Sequence, residues 1–380
     1  MNTATVMAGV PATNLTLYHR VRFNVGDPAA WVQLEDGRTI FMCRDIEMDR
    51  ARKFARADEI TCPPEYAPAG GLSTDRPTET AQALAELLVR HGVSRARCDS
   101  TLALVYAEHM RERGIEIEFD PQLGVRDRRA KDAQEVQWLR EAQAMTERAM
   151  EMACTMIAGA SARADGVLMH DGAELTSERV NTAIDIFLLQ NDYTNPGSIV
   201  AGGTDGYDCH NRGSGVLRTG TPIIVDIFPQ CRATRYNGDC TRTVVQGDPP
   251  DELVRMHAAV CEAKQAAIDA TRAEASGDDL YNACMNVIRR HGWDRGLAGP
   301  DAPDNYCSMQ HGLGHGVGLE VHEPPLLDAG GPALVVGDCL TIEPGLYHRQ
   351  IGGVRVEDMV IVTKDGCKNL NTLPEGLDWS

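Results

Sequence analysis

The residues best suited to chemistry are concentrated in one stretch, His311-Gly-Leu-Gly-His315-Gly-Val-Gly-Leu-Glu-Val-His322-Glu323-Pro324. It holds three histidines and four glycines within twelve residues. Glycine at every second position lets another backbone or a ligand approach closely. Imidazole is both a common metal ligand and a proton carrier near neutral pH. A phosphate-cradling loop would need a strand before it and a helix after it. This stretch leads instead into His-Glu-Pro-Pro, which breaks a helix. On a regular strand His315 and His322 would lie on opposite faces, so a bend near 316–318 is needed to bring them together.

Four other segments set a carboxylate in an apolar or β-branched run. Asp226 interrupts Thr221-Pro-Ile-Ile-Val-Asp-Ile-Phe, and Asp239 precedes a strand in Tyr236-Asn-Gly-Asp-Cys-Thr-Arg-Thr-Val-Val. Glu343 lies in Leu340-Thr-Ile-Glu-Pro-Gly and Glu357 in Gly353-Val-Arg-Val-Glu-Asp. A buried carboxylate is costly unless paired or metal-bound. Singly, three of the four have a plainer reading: a strand-end acid at Asp226, Asn-Gly-Asp turn chemistry at Asp239, or a surface ion pair between Glu357 and Arg355. Arg355 and Glu357 share a strand face, so Arg355 either orients Glu357 or meets a substrate carboxylate. Together, two Asp, one His and two Glu form an oxygen-rich set. That set suits a pair of Mn²⁺, Co²⁺ or Zn²⁺ ions better than a structural zinc, which prefers thiolates. Two such ions sharing a hydroxide provide a nucleophile at neutral pH.

The elements that must position these residues follow from periodicity. Residues 31–34 and 39–43 read as strands joined by a turn at 35–37. A helix is expected over 77–91, with Ala83, Leu84, Leu87 and Leu88 on one face and Gly92 just past its end. Another is expected over 100–113, followed by a half-buried strand through Ile115, Ile117 and Phe119. The charged stretch 125–133 has no hydrophobic pattern and marks the domain boundary, giving an α/β domain over 1–130 and a second over 131–380. The second opens at Asp132-Ala-Gln-Glu135, a capping-box start. A long helix follows, with Val136, Leu139, Ala142, Met145, Ala149, Met152 and Met156 as its core stripe. Helices are also expected over 175–190, 252–273 and 278–291, and strands over 222–227, 334–341 and 353–363. Helices mixed with strands at hairpin distances make an α+β domain, not a doubly wound parallel sheet.

Composition removes several functional classes. The chain has 380 residues with ordinary globular proportions, 43% hydrophobic and 24% charged, which excludes global disorder. With 37 basic and 55 acidic residues the net charge is −18, which disfavours nucleic acid and anionic membrane surfaces as partners. No apolar run is long enough to span a bilayer, and residues 1–14 lack the pattern of a secretory signal. The twelve cysteines are scattered without a CxxC pair, as expected of reduced thiols in a cytoplasm.

With these five segments in this order, residues 130–375 resemble the pita-bread metallopeptidases: aminopeptidase P, prolidase and methionine aminopeptidase, with creatinase as a metal-free relative. The resemblance implies metal ligation by Asp226, Asp239, His315, Glu343 and Glu357, with Asp239 and Glu357 bridging. It implies substrate contacts from His210, His311 and His322, and places Arg355 beside the final glutamate as in the proline-specific branch. The Asp226–Asp239 interval is two residues longer than the family's usual spacing, which keeps strand parity and lengthens a hairpin tip near 230–234. An N-terminal α/β domain accompanies the proline-specific and creatinase branches. By analogy it would close over a partner's active site in a homodimer. The implied activity is removal of the residue before proline from a peptide: the metal-bridging hydroxide attacks, Glu343 carries its proton, and His322 helps stabilise the oxyanion. Mn²⁺ is the expected metal. Alternatives are an Xaa-Pro dipeptidase, a creatinase-like amidinohydrolase without metal, and a non-catalytic binding module.

Overall fold

The computed structural model describes residues 2–380, and the chain divides into two compact units between Arg128 and Arg129. The first unit is built on strands β1 (Thr3–Gly9), β2 (Ala29–Gln33), β3 (Thr39–Met42), β4 (Glu59–Thr61), β5 (Arg95–Cys98) and β6 (Glu116–Phe119). They form one mixed sheet in the order β4-β3-β2-β1-β5-β6. Alternation along the strands covers both faces. Val6, Val32 and Ile40 pack with α3 (Arg76–Arg90) and α4 (Leu104–Glu112). Met7, Trp31 and Phe41 pack with α1 (Leu15–Val21) and α2 (Met48–Phe54). Helix α3 starts where Asp75 accepts the Thr78 N–H and stops before Gly92, whose φ of 68° is the left-handed geometry glycine allows. Helix α4 begins later than its sequence pattern indicates, because Ala103 is extended and Thr101 bonds back to Asp99. Strand β6 lies at the sheet edge, so burial fades along it and Phe119 is 62% exposed.

The charged stretch at the division contains a short helix, α5 (Val125–Arg129). In the second unit α6 (Ala133–Ala158) opens with the expected capping box between Asp132 and Glu135. Its buried face is rotated from the expected stripe. Met145, Met152 and Met156 are only partly buried, while Met150, Ala153 and Ile157 fill the core together with polar Gln143 and Thr146. The periodicity is correct but its phase follows the polar residues that the site needs.

Helices α7 (Ser177–Gln190), α8 (Asp251–Ala270) and α9 (Gly277–Arg290) lie where expected. Short strands β7 (Ser161–Ala162), β8 (Leu168–His170) and β9 (Ala173–Glu174) form a small sheet, and β10 (Tyr193–Thr194) pairs with β13 (Gln230–Cys231). Three sheets carry the site. The first is β11 (Ile199–Gly202), β12 (Ile223–Ile227) and β14 (Cys240–Val244), packed with α6 and α7. The second is β15 (Cys307–Ser308), β19 (Gly345–His348) and β20 (Gly352–Arg355). The third is β17 (Glu323–Leu327), β16 (Gly314–Gly316), β18 (Cys339–Ile342), β21 (Asp358–Val362) and β22 (Cys367–Asn369). Leucines and valines of the last two sheets share a core with α8 and α9.

Two expected strands are corrected. Of residues 334–341 only the end is strand, because Asp338 accepts the Val335 N–H and holds the approach in a turn. Residues 353–363 are two strands in different sheets, β20 and β21, and Val356 and Glu357 make the crossing.

Candidate metal centre

Strand register brings the acidic residues together. In the β12–β14 pair Asp226 faces Thr241 and Ile227 faces Cys240, so Asp239 leaves the neighbouring strand close to Asp226. In the β18–β21 pair Ile342 faces Asp358, which sets Glu343 and Glu357 side by side at one end of two antiparallel strands. His315 lies on β16, beside β18. One ligand atom each from Asp239, His315 and Glu357 lies within 4.8 Å of the others. His315 Nε2 is 3.4 Å from Glu343 Oε1 and 3.8 Å from Asp239 Oδ2.

The bend expected between the histidines is present. Register shifts between His315 and Gly316, and the His315 and His322 rings meet at 4.2 Å between centroids. A Cβ on Gly316 would lie 2.5 Å from the Pro324 carbonyl, so this close backbone approach requires glycine. His311, His315 and His322 line a cavity of about 300 Å³ with His210, the four carboxylates and Arg355. Apolar Ile199, Phe228, Val321 and Leu326 form other parts of its wall.

The cluster carries more negative charge than its protein partners neutralise. Burial, then the neighbouring carboxylates, raise Asp239 and Glu357 well above the usual carboxylate range. Burial raises Glu343 to about 8. Asp226 Oδ2 takes Arg355 Nη2 at 2.7 Å, but Asp226 Oδ1 is buried without a hydrogen-bond partner. An orphaned buried oxygen among crowded carboxylates fits a site for cations. His315 Nδ1 lies 3.1 Å from the Gly316 carbonyl, which can only accept, so the ring proton sits on Nδ1 and Nε2 presents a lone pair to the acids. Burial lowers this imidazole to about 4, which keeps it neutral as a metal ligand requires.

Arg355 turns to Asp226, not to Glu357. It also donates to the Tyr347 hydroxyl at 2.8 Å. That oxygen is 2.6 Å from His311 Nε2, and His311 Nδ1 is 2.7 Å from the Gly312 carbonyl. Since arginine only donates and the carbonyl only accepts, the tyrosine proton points to Nε2 and His311 is the neutral Nδ1–H tautomer. Burial, then Arg355, lowers His311 to about 3. His210 and His322 are exposed at the cavity rim.

The pattern of acids and histidines left several supporting residues unread. Thr241 Oγ1 donates to Glu357 Oε2 at 2.7 Å. Gln143 brackets Asp239 with bonds to its N–H at 2.8 Å and its carbonyl at 2.7 Å. Arg242 donates to the Glu357 carbonyl and to Asp358. A readable signal was present: Thr241, Arg242 and Thr243 are polar residues in a strand that continues into Val-Val, and all three are fully buried.

Residues 137–364, which include every one of these side chains in the centre, match metallopeptidase family M24. The chain belongs to metallopeptidase family M24. A metallopeptidase of this family implies divalent metal ions, and the donor set fits them. Among curated M24 relatives, the Xaa-Pro dipeptidase of Pyrococcus horikoshii is 34% identical over 155 residues, 40% of each chain. A probable dipeptidase PepE of Mycobacterium tuberculosis is 35% identical over 181 residues, 47% of this chain and 45% of the relative. The matched stretches thus span less than half of those relatives. Solved structures extend the likeness to both units. A Bacillus anthracis Xaa-Pro dipeptidase has a TM-score of 0.80 at 22% identity, covering 99% of this chain and 94% of its own. A Thermotoga maritima X-Pro aminopeptidase gives 0.78 at 21% identity, covering 99% and 97%. The α+β fold is therefore the pita-bread fold of these proteins.

Proposed function

We propose that this chain is a metal-dependent hydrolase that removes the residue preceding proline from the N-terminus of a peptide. The observation that carries this reading is the convergence of Asp239, His315 and Glu357 within 4.8 Å, beside Glu343 and Asp226, in an M24 chain. Asp226, Asp239, His315, Glu343 and Glu357 would hold two divalent ions. Those ions, when bound, supply a water of lowered pKa and polarise the scissile carbonyl. Oxygen-rich donors suit Mn²⁺ ahead of Zn²⁺.

The chain's own groups do the rest. Glu343 would take the proton that the attacking water gives up and pass it to the leaving proline nitrogen. His322, at the rim beside His315, donates to the carbonyl oxygen as charge develops on it. Arg355 fixes Asp226, and Tyr347 with His311 fixes Arg355. On this reading Asp226 would meet the substrate's free amine, and His210 and His311 would shape the proline side of the cavity they line. Thr241 orients Glu357.

The cavity supports a peptide longer than two residues. The cation that a dipeptide's carboxylate would seek, Arg355, is 3% exposed and already engaged with Asp226 and Tyr347. A dipeptidase is the second reading, favoured by relatives that carry that name. The same reading places residues 1–130 and 131–380 as N-terminal and catalytic domains and, by resemblance, takes a homodimer as the assembly. Twelve free cysteines support a reducing cytoplasm. No described helix is long and apolar enough to cross a membrane.

The deciding assay compares Ala-Pro with Ala-Pro-Ala, using Mn²⁺-loaded protein with and without chelator. Chelator-sensitive release of alanine is expected, faster from the tripeptide. Preference for the dipeptide would select the second reading. Cleavage of neither by metal-loaded, folded protein would overturn both.

A further inference from the structure

His322 is followed directly by Glu323, the first residue of β17. Glu323 points inward. Its side chain is 2% exposed, and a Cβ on Gly318 would lie 2.4 Å from its Oε1, so the carboxylate fills the inside of the bend between His315 and His322. The cation that meets it is Lys131, also 2% exposed, whose Nζ donates to Oε1. Lys131 comes from the segment just before α6, far away in sequence. That segment is itself held: Arg129 donates to the Asp338 carboxylate at 2.7 Å and to the Ala333 carbonyl at 2.7 Å, and Asp338 is fully buried.

A buried ion pair adds little net stability, because two well-packed apolar side chains often serve as well or better. What it specifies is position. With that cation removed, the buried carboxylate loses its counter-charge and shifts toward water, and here that movement would carry the adjoining backbone and His322 with it. Resting on the peptidase reading, we propose that Lys131 is a positioning residue for His322, acting through Glu323. Lys131 holds the bend closed on the Glu323 carboxylate, and this keeps the His322 ring against His315 at the mouth of the cavity. The mouth of the cavity is thereby tied to the start of the catalytic unit.

The test is a double-mutant cycle on the Mn²⁺-loaded protein with the proline peptide it cleaves. Lys131→Met should lower kcat about 10- to 100-fold, the size of effect a small misplacement produces, with KM and bound metal unchanged. In a His322→Ala background it should lower kcat no further, since the two act as one unit. Lys131→Arg should recover part of the loss. Wild-type kcat in Lys131→Met, or a loss that multiplies with that of His322→Ala, would overturn the proposal. Should Lys131→Met fail to fold, Lys131→Met/Glu323→Gln removes both charges. The same kcat loss from it supports the proposal, and wild-type kcat overturns it. If the wild-type protein cleaves no proline peptide, the peptidase reading fails by itself. Positioning is then read in the Zn²⁺-loaded protein from the His322 ring-proton resonance, identified by its absence in His322→Ala. The edge-to-face contact with the His315 ring displaces that resonance, and Lys131→Met should shift it toward the value of a ring without that contact. An unmoved resonance would overturn the proposal.

Discussion

Glu357 and Asp358 are adjacent, both are 2% exposed, and their surroundings are opposite. Glu357 lies beside Asp239, and burial, then Glu343 and Asp226, raise its pKa well above the ordinary range. Asp358 accepts from Arg242, Lys264 and Asn369. Burial opposes ionisation there too, but Lys264 and Arg242 outweigh it and lower its pKa. The second arrangement is what a buried carboxylate looks like when the protein itself completes it. The first remains short of positive charge. Depth of burial is the same, so the charge balance separates a site suited to cations from a structural cluster.

The largest contrast should appear in Glu343→Gln. Its turnover should fall by about 10³-fold, within the range for a lost proton carrier, while its fold survives. A mutant turning over at the wild-type rate would remove Glu343 from the mechanism. Next, Asp358→Ala leaves Arg242 and Lys264 buried without their carboxylate and should destabilise the protein by about 3–5 kcal/mol in denaturant melts. Glu357→Gln removes repulsion instead, so in the metal-free state its melting temperature should match or exceed that of wild type. If both variants destabilise the metal-free protein equally, the contrast between the two residues collapses.

Titration sharpens the same contrast. Asp239, Glu343 and Glu357 all have folded-state pKa values raised above their unfolded ones, Glu343 to about 8. In the metal-free fold these three groups keep protons that the unfolded chain has released above about pH 4, whereas His311 and His315, lowered to about 3 and about 4, lack protons that the unfolded chain still holds below about pH 6.5. The two effects oppose each other below about pH 6.5; above it the carboxylates act alone, and metal-free stability should fall as pH rises toward 8. Bound divalent ions hold the carboxylates ionised and should flatten or reverse the slope. Melting temperatures from pH 6.5 to 8, with and without chelator, measure this directly; parallel curves would contradict it. The smallest effect is expected from Thr241→Val. Removing the hydroxyl that donates to Glu357 Oε2 should weaken metal binding by about 10- to 100-fold, read by competition with a chromogenic chelator.

The site was more legible than its support. Asp226, Asp239, Glu343 and Glu357 stood out because a carboxylate inside an apolar strand is conspicuous, and the glycines around His315 announced a close backbone approach. Even the bend joining His315 and His322 followed from strand parity. Gln143, Tyr347 and Lys131 did not stand out. Each is an ordinary residue in its local pattern, and each acquires its role from a partner distant in sequence. The rotated face of α6 has the same origin: Gln143 must reach Asp239, and that tertiary demand sets a phase that the methionine spacing does not reveal. The split of residues 353–363 between two sheets was equally hidden, because β-branched alternation continues across Val356 and Glu357.

That split bears on the order of assembly. Glu357 spans two sheets, and its partners Asp239 and Glu343 come from different strand pairs. Fragments containing one sheet alone would lack the convergent ligand set. Because these pairings are long-range, they are expected to form late during folding. Metal uptake during refolding should then lag behind the gain of helical signal, making the ion a reporter of final closure rather than a nucleus around which the chain collapses.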